Sequence, residues 1–192
     1  MRVAAIVGDD LIRRWSAPVR RYHDLRHLTE VLDRLRTLPA GRSTTVRLAA
    51  WFHDAVYEPT AEPGASEAAS AALGQALLPA CGLEPDAVAE VTRLVLVTRE
   101  HHVDGDDRPG AALVDADLAV LAAAPERYLD YAAGVRAEYS HLPEPVFRRG
   151  RSAVLHSLLA RDRIFRTPVG RQRWESRARA NLAVELRMLD AD

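Results

Sequence analysis

The 192-residue chain contains no lysine; all 26 of its basic residues are arginine. A lysine Schiff base, a P-loop lysine and a kinase-type lysine are therefore excluded together. Cysteine is almost absent as well. The single Cys81 has no partner for an internal disulfide, and a chain of this length buries enough surface to need no covalent or metal staple. Long apolar runs are missing too. Nothing approaches the ~18 residues of a membrane span, and MRVAAIVGDD reaches acid too early for a secretory leader. The expectation is a cytoplasmic protein with no membrane partner. GxSxG, CxxC and a strand-linked GxGxxG are likewise lacking.

What is present is helical spacing. Leu25, Leu28, Leu32, Leu35 and Leu38 step by three or four and stop at Pro39 and Gly41. Ser43 or Thr44 is positioned to cap a second helix through Val46, Ala49, Ala50, Phe52 and Val56. ASEAASAALGQALL reads as a third. Pro85 opens a fourth through Val88, Val91, Leu94, Val95 and Thr98, with His101 and His102 at its end. The run VDGDDRPG breaks the chain, and further helices are predicted over about 111–124, 126–141, 144–165 and 171–190. No alternating run commits a strand. The predicted class is all-α, a single domain over 1–192, with the motifs in about 20–120 and C-terminal helices over about 125–190.

Charge is balanced overall, at −1, but not locally. Between 148 and 187 eleven arginines face only Asp162, Glu175 and Glu185. Solvated helix faces with internal ion pairs explain such a run, and so does contact with a phosphate-bearing ligand. Without aromatic interleaving or a recognition motif, nucleic acid is not an expected partner.

Five of the seven histidines fall in three short clusters. His23 and His27 are i, i+4 neighbours, and His53 and Asp54 are adjacent within WFHDAVYE. His101 and His102 follow Thr98 by one turn. Asp115 and Asp117 sit in ALVDADLAVLAAA, where Asp117 shares a stripe with Leu113, Val114, Val120 and Leu121. A carboxylate on an apolar face needs a cationic, hydrogen-bonding or metallic partner. Taken singly, His53 reads as a satisfied core histidine and Asp117 as a member of a structural network. Together they supply mixed N and O donors, a set suited to Mn, Fe, Co, Ni or Zn. DGDDRPGAALVD is no calcium loop, because Pro109 and Asp115 stand where glycine and glutamate are required.

The series Tyr22-His23-x-x-x-His27, Trp51-Phe52-His53-Asp54-Ala55-Val56-Tyr57 and Asp115-Ala116-Asp117-Leu118 resembles the HD superfamily of metal-dependent phosphohydrolases. More narrowly it is similar to a bacterial branch of predicted HD phosphohydrolases. Ser66-Glu67-x-x-Ser70-Ala71, Thr98-x-x-His101, Arg136-x-Glu138-Tyr139, Gly150-Arg151 and Glu175-x-x-Ala178-Arg179-x-Asn181-Leu182 extend the likeness over about residues 20 to 187. Ser66 departs from the branch, which has Asn there, so Ser66 also reads as a helix cap with Glu67 in the first turn.

The resemblance implies an HD-type helical bundle holding one or two divalent ions (Mn, Fe, Co, Ni, Zn or Mg) on His27, His53, Asp54 and Asp117. By analogy with cyclic nucleotide phosphodiesterases, His23 would be the proton donor, and Asp54 would bridge two metals. Asp115 would orient a ligand from behind; His101 and Glu67 would serve a second metal or the substrate, and Arg151 would hold phosphate. The implied partner is a small phosphorylated substrate, a nucleotide among the options. An HD-type diiron oxygenase and a non-catalytic nucleotide- or nucleic-acid-binding HD protein are the alternatives.

Overall fold

The structure is a computed structural model that describes residues 2–191. Among these residues the chain forms nine α-helices joined by turns and three short 3-10 segments, with no strand. The helices are α1 (Arg2–Trp15), α2 (Leu25–Leu35), α3 (Thr44–Phe52), α4 (Ala65–Leu77), α5 (Pro85–Val97), α6 (Arg108–Leu118), α7 (Pro125–Glu138), α8 (Glu144–Ala160) and α9 (Pro168–Asp190). The all-α class is thus as expected, and no described helix is long and apolar enough to cross a membrane.

Two hydrophobic clusters make the interior. The first gathers Trp15, Leu28, Leu35, Phe52, Leu94 and Leu113 from α1, α2, α3, α5 and α6. The second gathers Tyr22, Leu121, Tyr131, Leu155, Phe165 and Leu182, mostly from the C-terminal half. Trp174 on α9 packs against both. Each fully buried large side chain stabilises the fold by roughly 1.5–3 kcal/mol relative to exposure.

Several boundaries differ from the periodicity, the ends of α6 and α7 and the start of α9 among them, and four of the differences have a clear local reason. The second predicted helix stops at Phe52, not Val56, because the buried Ser70 takes over the Val56 backbone: its Oγ accepts from Val56 N and donates to Val56 O, both at 3.0 Å. The fourth stops at Val97, and His101 adopts a left-handed conformation at φ +48°, which a helix cannot continue. α6 begins three residues early because Asp107 accepts from Gly110 N and Pro109 suits the first turn. α8 ends at Ala160 instead of 165, since the Glu175 carboxylate captures the N–H groups of Ile164 and Phe165 and Arg161 turns extended. α1 was not anticipated at all. α4 starts at Ala65 behind Gly64, whose φ of +82° only glycine adopts freely, so Ser66 is not the cap. Ser66 Oγ instead accepts from Glu58 N.

Candidate metal centre

Three helix ends meet at the seam between the two clusters. Asp24 caps α2, its carboxylate accepting from Arg26 N at 2.9 Å and His27 N at 3.2 Å. That fixes His27 in the first turn of α2, its ring between Trp15 and Tyr22. His53 follows the last residue of α3, and its Nδ1–H donates to Ala50 O at 2.8 Å. The bond leaves the Nε2 lone pair facing inward, as a metal ligand requires. Asp117 stands in the last turn of α6.

The donors converge. His27 Nε2 lies 3.2 Å from His53 Nε2 and 3.1 Å from Asp117 Oδ1. His53 Nε2 lies 3.2 Å from Asp54 Oδ2 and 3.7 Å from Asp117 Oδ1, and His27 Nε2 lies 3.9 Å from Asp54 Oδ2. Metal bonds of about 2.1 Å place neighbouring donors about 3.0 Å apart in an octahedron and about 3.4 Å apart in a tetrahedron. The observed separations, 3.1 to 3.9 Å, start just above the octahedral value and span the tetrahedral one. His27, His53 and Asp54 thus form a group able to hold a metal ion, buried except for the edge of Asp54.

Electrostatics agree with the donor set. Burial alone would favour neutral acids. It is outweighed at Asp54 by the charge and hydrogen bond of His53, and at Asp117 by hydrogen bonds from His101, His27 and His53; both carboxyls fall well below the ordinary range. Burial disfavours the charged form of both imidazoles. His27 accordingly drops below its ordinary value, while Asp54 and Asp117 carry His53 well above it. Two ionised carboxylates share this pocket with two imidazoles, and a cation suits that balance.

His23 stands apart from this cluster. Its Nδ1 is 2.7 Å from Glu138 Oε2, and its ring stacks on Tyr57 with centroids 4.2 Å apart. Glu138 belongs to the Arg136-x-Glu138-Tyr139 element of the likeness, but sequence reasoning missed its role. Its Oε1 accepts the backbone N–H groups of Arg21, Tyr22 and His23 at 2.8, 2.9 and 3.0 Å, and its Oε2 accepts from Tyr57 OH at 3.0 Å. The signal was available: Tyr131, Val135 and Glu138 form a helical stripe with an acid on an apolar face, the pattern that singled out Asp117. Arg20 was missed as well. It donates to His23 O at 2.7 Å and Ala55 O at 3.2 Å, tying the two histidine-bearing loops together.

No family model, curated protein or solved structure matches the chain.

The remaining expected residues separate. His101 joins the cluster, its Nε2 2.8 Å from Asp117 Oδ2, whereas His102 is exposed and lines a different groove. Glu67 lines the cleft of about 740 Å³ above the cluster, away from the convergent donors. Asp115 does not face the cluster. It is fully buried and accepts from Arg166 N, Thr167 N and Thr167 Oγ1 at 2.7, 2.8 and 2.6 Å, anchoring the turn into α9. Arg151 borders the cleft but is committed elsewhere: Nε and Nη2 donate to Glu185 at 2.7 and 3.0 Å, and Nη1 to Tyr131 OH at 3.0 Å. Asn181 Nδ2 donates to Leu121 O and Ala123 O at 2.8 and 3.0 Å, steadying the chain after Asp117.

Proposed function

We propose that the protein is a cytoplasmic, metal-dependent hydrolase of a phosphate ester or phosphoanhydride, of the HD type. The observation that carries this reading is the convergence of His27, His53, Asp54 and Asp117, the last three of which line a cleft together with His23. A divalent ion held by these four residues would polarise a phosphoryl oxygen and lower the pKa of bound water toward neutrality. His27 and His53 would bind it through Nε2, Asp54 and Asp117 through carboxylate oxygens. His101, bonded to the second oxygen of Asp117, fixes the orientation of that carboxylate.

The cleft itself favours cations. Asp54, Glu58, Glu62, Glu67, Glu100 and Asp117 outnumber Arg99 and Arg151 along its walls. A bare phosphate is repelled there, so the substrate enters by way of the cation and His23. With Nδ1 on Glu138, the Nε2–H of protonated His23 is the donor for a leaving oxygen, and Glu138 keeps the ring aligned and favours its charged form. Burial opposes that charge, yet the Glu138 hydrogen bond and the nearby Asp54 carry the His23 value above the ordinary one.

The test is phosphate release over a panel of nucleotides and sugar phosphates with Mn, Fe, Co, Ni, Zn and Mg, with oxygen uptake recorded in parallel. Phosphate release that depends on added metal is expected. His27→Ala should lose metal and rate together, while His23→Ala should keep its metal and lose rate by ~10²–10⁴-fold. Oxygen uptake without phosphate release, or undiminished metal in Asp54→Ala by elemental analysis, sinks the reading.

A further inference from the structure

A second, larger groove of about 1260 Å³ meets the metal cleft only at His101. Five arginines line it, Arg108, Arg161, Arg163, Arg166 and Arg171, against Asp104, Asp107 and Asp162. Asp107 is already engaged by Arg93 at 2.7 Å. None of the five arginines is ion-paired among the described residues. Arg161 and Arg166 are held by backbone alone: Arg161 donates to His101 O at 3.0 Å and Glu100 O at 3.1 Å, and Arg166 to Val103 O at 2.7 Å.

Unpaired guanidinium groups gathered in a concavity repel one another. Arg161 feels this directly, since burial and then the Arg166 charge both weaken its hold on its proton. A multivalent anion relieves the repulsion and meets the planar donor forks of arginine. Thr167 and Pro168 at the start of α9 also border the groove, but Asp115 already caps that end, so the guanidinium groups are the cationic feature of the lining. Nucleic acid fits less well. The one aromatic side chain of the lining apart from the histidines, Phe165, is fully buried, so no base-stacking platform is offered.

We infer that this groove binds a phosphate chain, as carried by a nucleoside polyphosphate or by inorganic polyphosphate, at a site distinct from the metal centre. Recognition is through the phosphates. Arg108 and Arg163 are exposed and unpaired and close on the ligand, while Arg161 and Arg166 hold the 100–103 turn as its wall. The inference does not rest on the hydrolase reading, because the test is run without metal.

Calorimetry with inorganic tripolyphosphate and with ATP on metal-free protein, repeated on Asp54→Ala, is the measurement. Saturable binding of both ligands with similar affinity, unchanged in Asp54→Ala, is expected. Arg108→Ala/Arg163→Ala should bind at least tenfold more weakly, and Arg177→Ala/Arg187→Ala, altered outside the groove, should stay within twofold of wild type. In histidine NMR spectra the His102 ring resonance should follow the same saturation curve while His23 stays fixed. Movement of His23 without His102 would place the anion in the metal cleft and overturn the proposal. So would equal weakening in the two double variants, or binding of ATP without tripolyphosphate.

Discussion

At the scale of single residues, Glu138 ties the backbone of residues 21–23 to the His23 ring. Burial alone would raise its carboxyl, but the His23 ring and the backbone N–H groups of Tyr22 and Arg21 hold it down at about 2. The unfolded chain returns it to about 4.5, so the folded state binds fewer protons and is favoured wherever the pH lies above that range. This stability is present above pH ~4.5 and is lost as pH falls toward 2, on the order of 2–3 kcal/mol in all and shared with His23. Urea denaturation of wild type and Glu138→Gln should therefore show a stability gap at pH 7 that shrinks by pH 3. A gap independent of pH would mean that the carboxylate charge contributes nothing.

At the scale of elements, the approach of α7 to the chain before α2 decides whether His23 meets Glu138 at all. Gly134 makes that approach possible: a Cβ there would stand 2.9 Å from Arg21 O and 3.0 Å from the Tyr22 side chain. Both obstacles belong to the segment that Glu138 binds, and neither is the far end of a flexible side chain. Gly134→Ala gains helix propensity worth up to ~1 kcal/mol, but overpacking of this kind costs typically 1–3 kcal/mol. Net destabilisation by thermal unfolding is expected, together with a displaced His23 resonance. A more stable variant with an unmoved His23 would show that the segment yields freely.

At the scale of the whole molecule, the two clusters bury enough large side chains to predict that the helices hold without an ion. Trp15, Phe52, Leu113, Leu155 and Phe165 are buried to within 2% of full exclusion and touch neighbours far along the sequence. Chelation should leave the helical circular dichroism essentially unchanged. On the proposed reading, a divalent metal at 100 times its dissociation constant should raise stability by about 2.7 kcal/mol, since it would bind only where His27, His53, Asp54 and Asp117 have been brought together. Collapse of the helical signal on chelation would make the ion structural instead.

The sequence by itself determined the helical class, for the apolar period of three to four is a local property that each segment carries alone. It also marked His53 and Asp117, because polar residues on apolar stripes announce partners even when the partners are unknown, whereas Asp54 and the choice of His27 over His23 came only with the HD resemblance. What it could not reach were interactions between segments far apart in the chain. The end of α3 depends on Ser70, the end of α8 on Glu175, and the left-handed turn at His101 is gripped by Arg161 from sixty residues away. The same holds for function. Asp115 and Asp117 are two residues apart in one motif, yet the helix turns their carboxylates to different neighbours, one to the α9 cap and one to the histidines. Arg151 is the arginine that the resemblance assigns to phosphate, and only packing gives it to Glu185 while leaving Arg163 of the same basic run without an ion pair. Periodicity fixes which face a residue occupies; the tertiary structure alone decides what stands opposite, because that partner comes from another part of the chain.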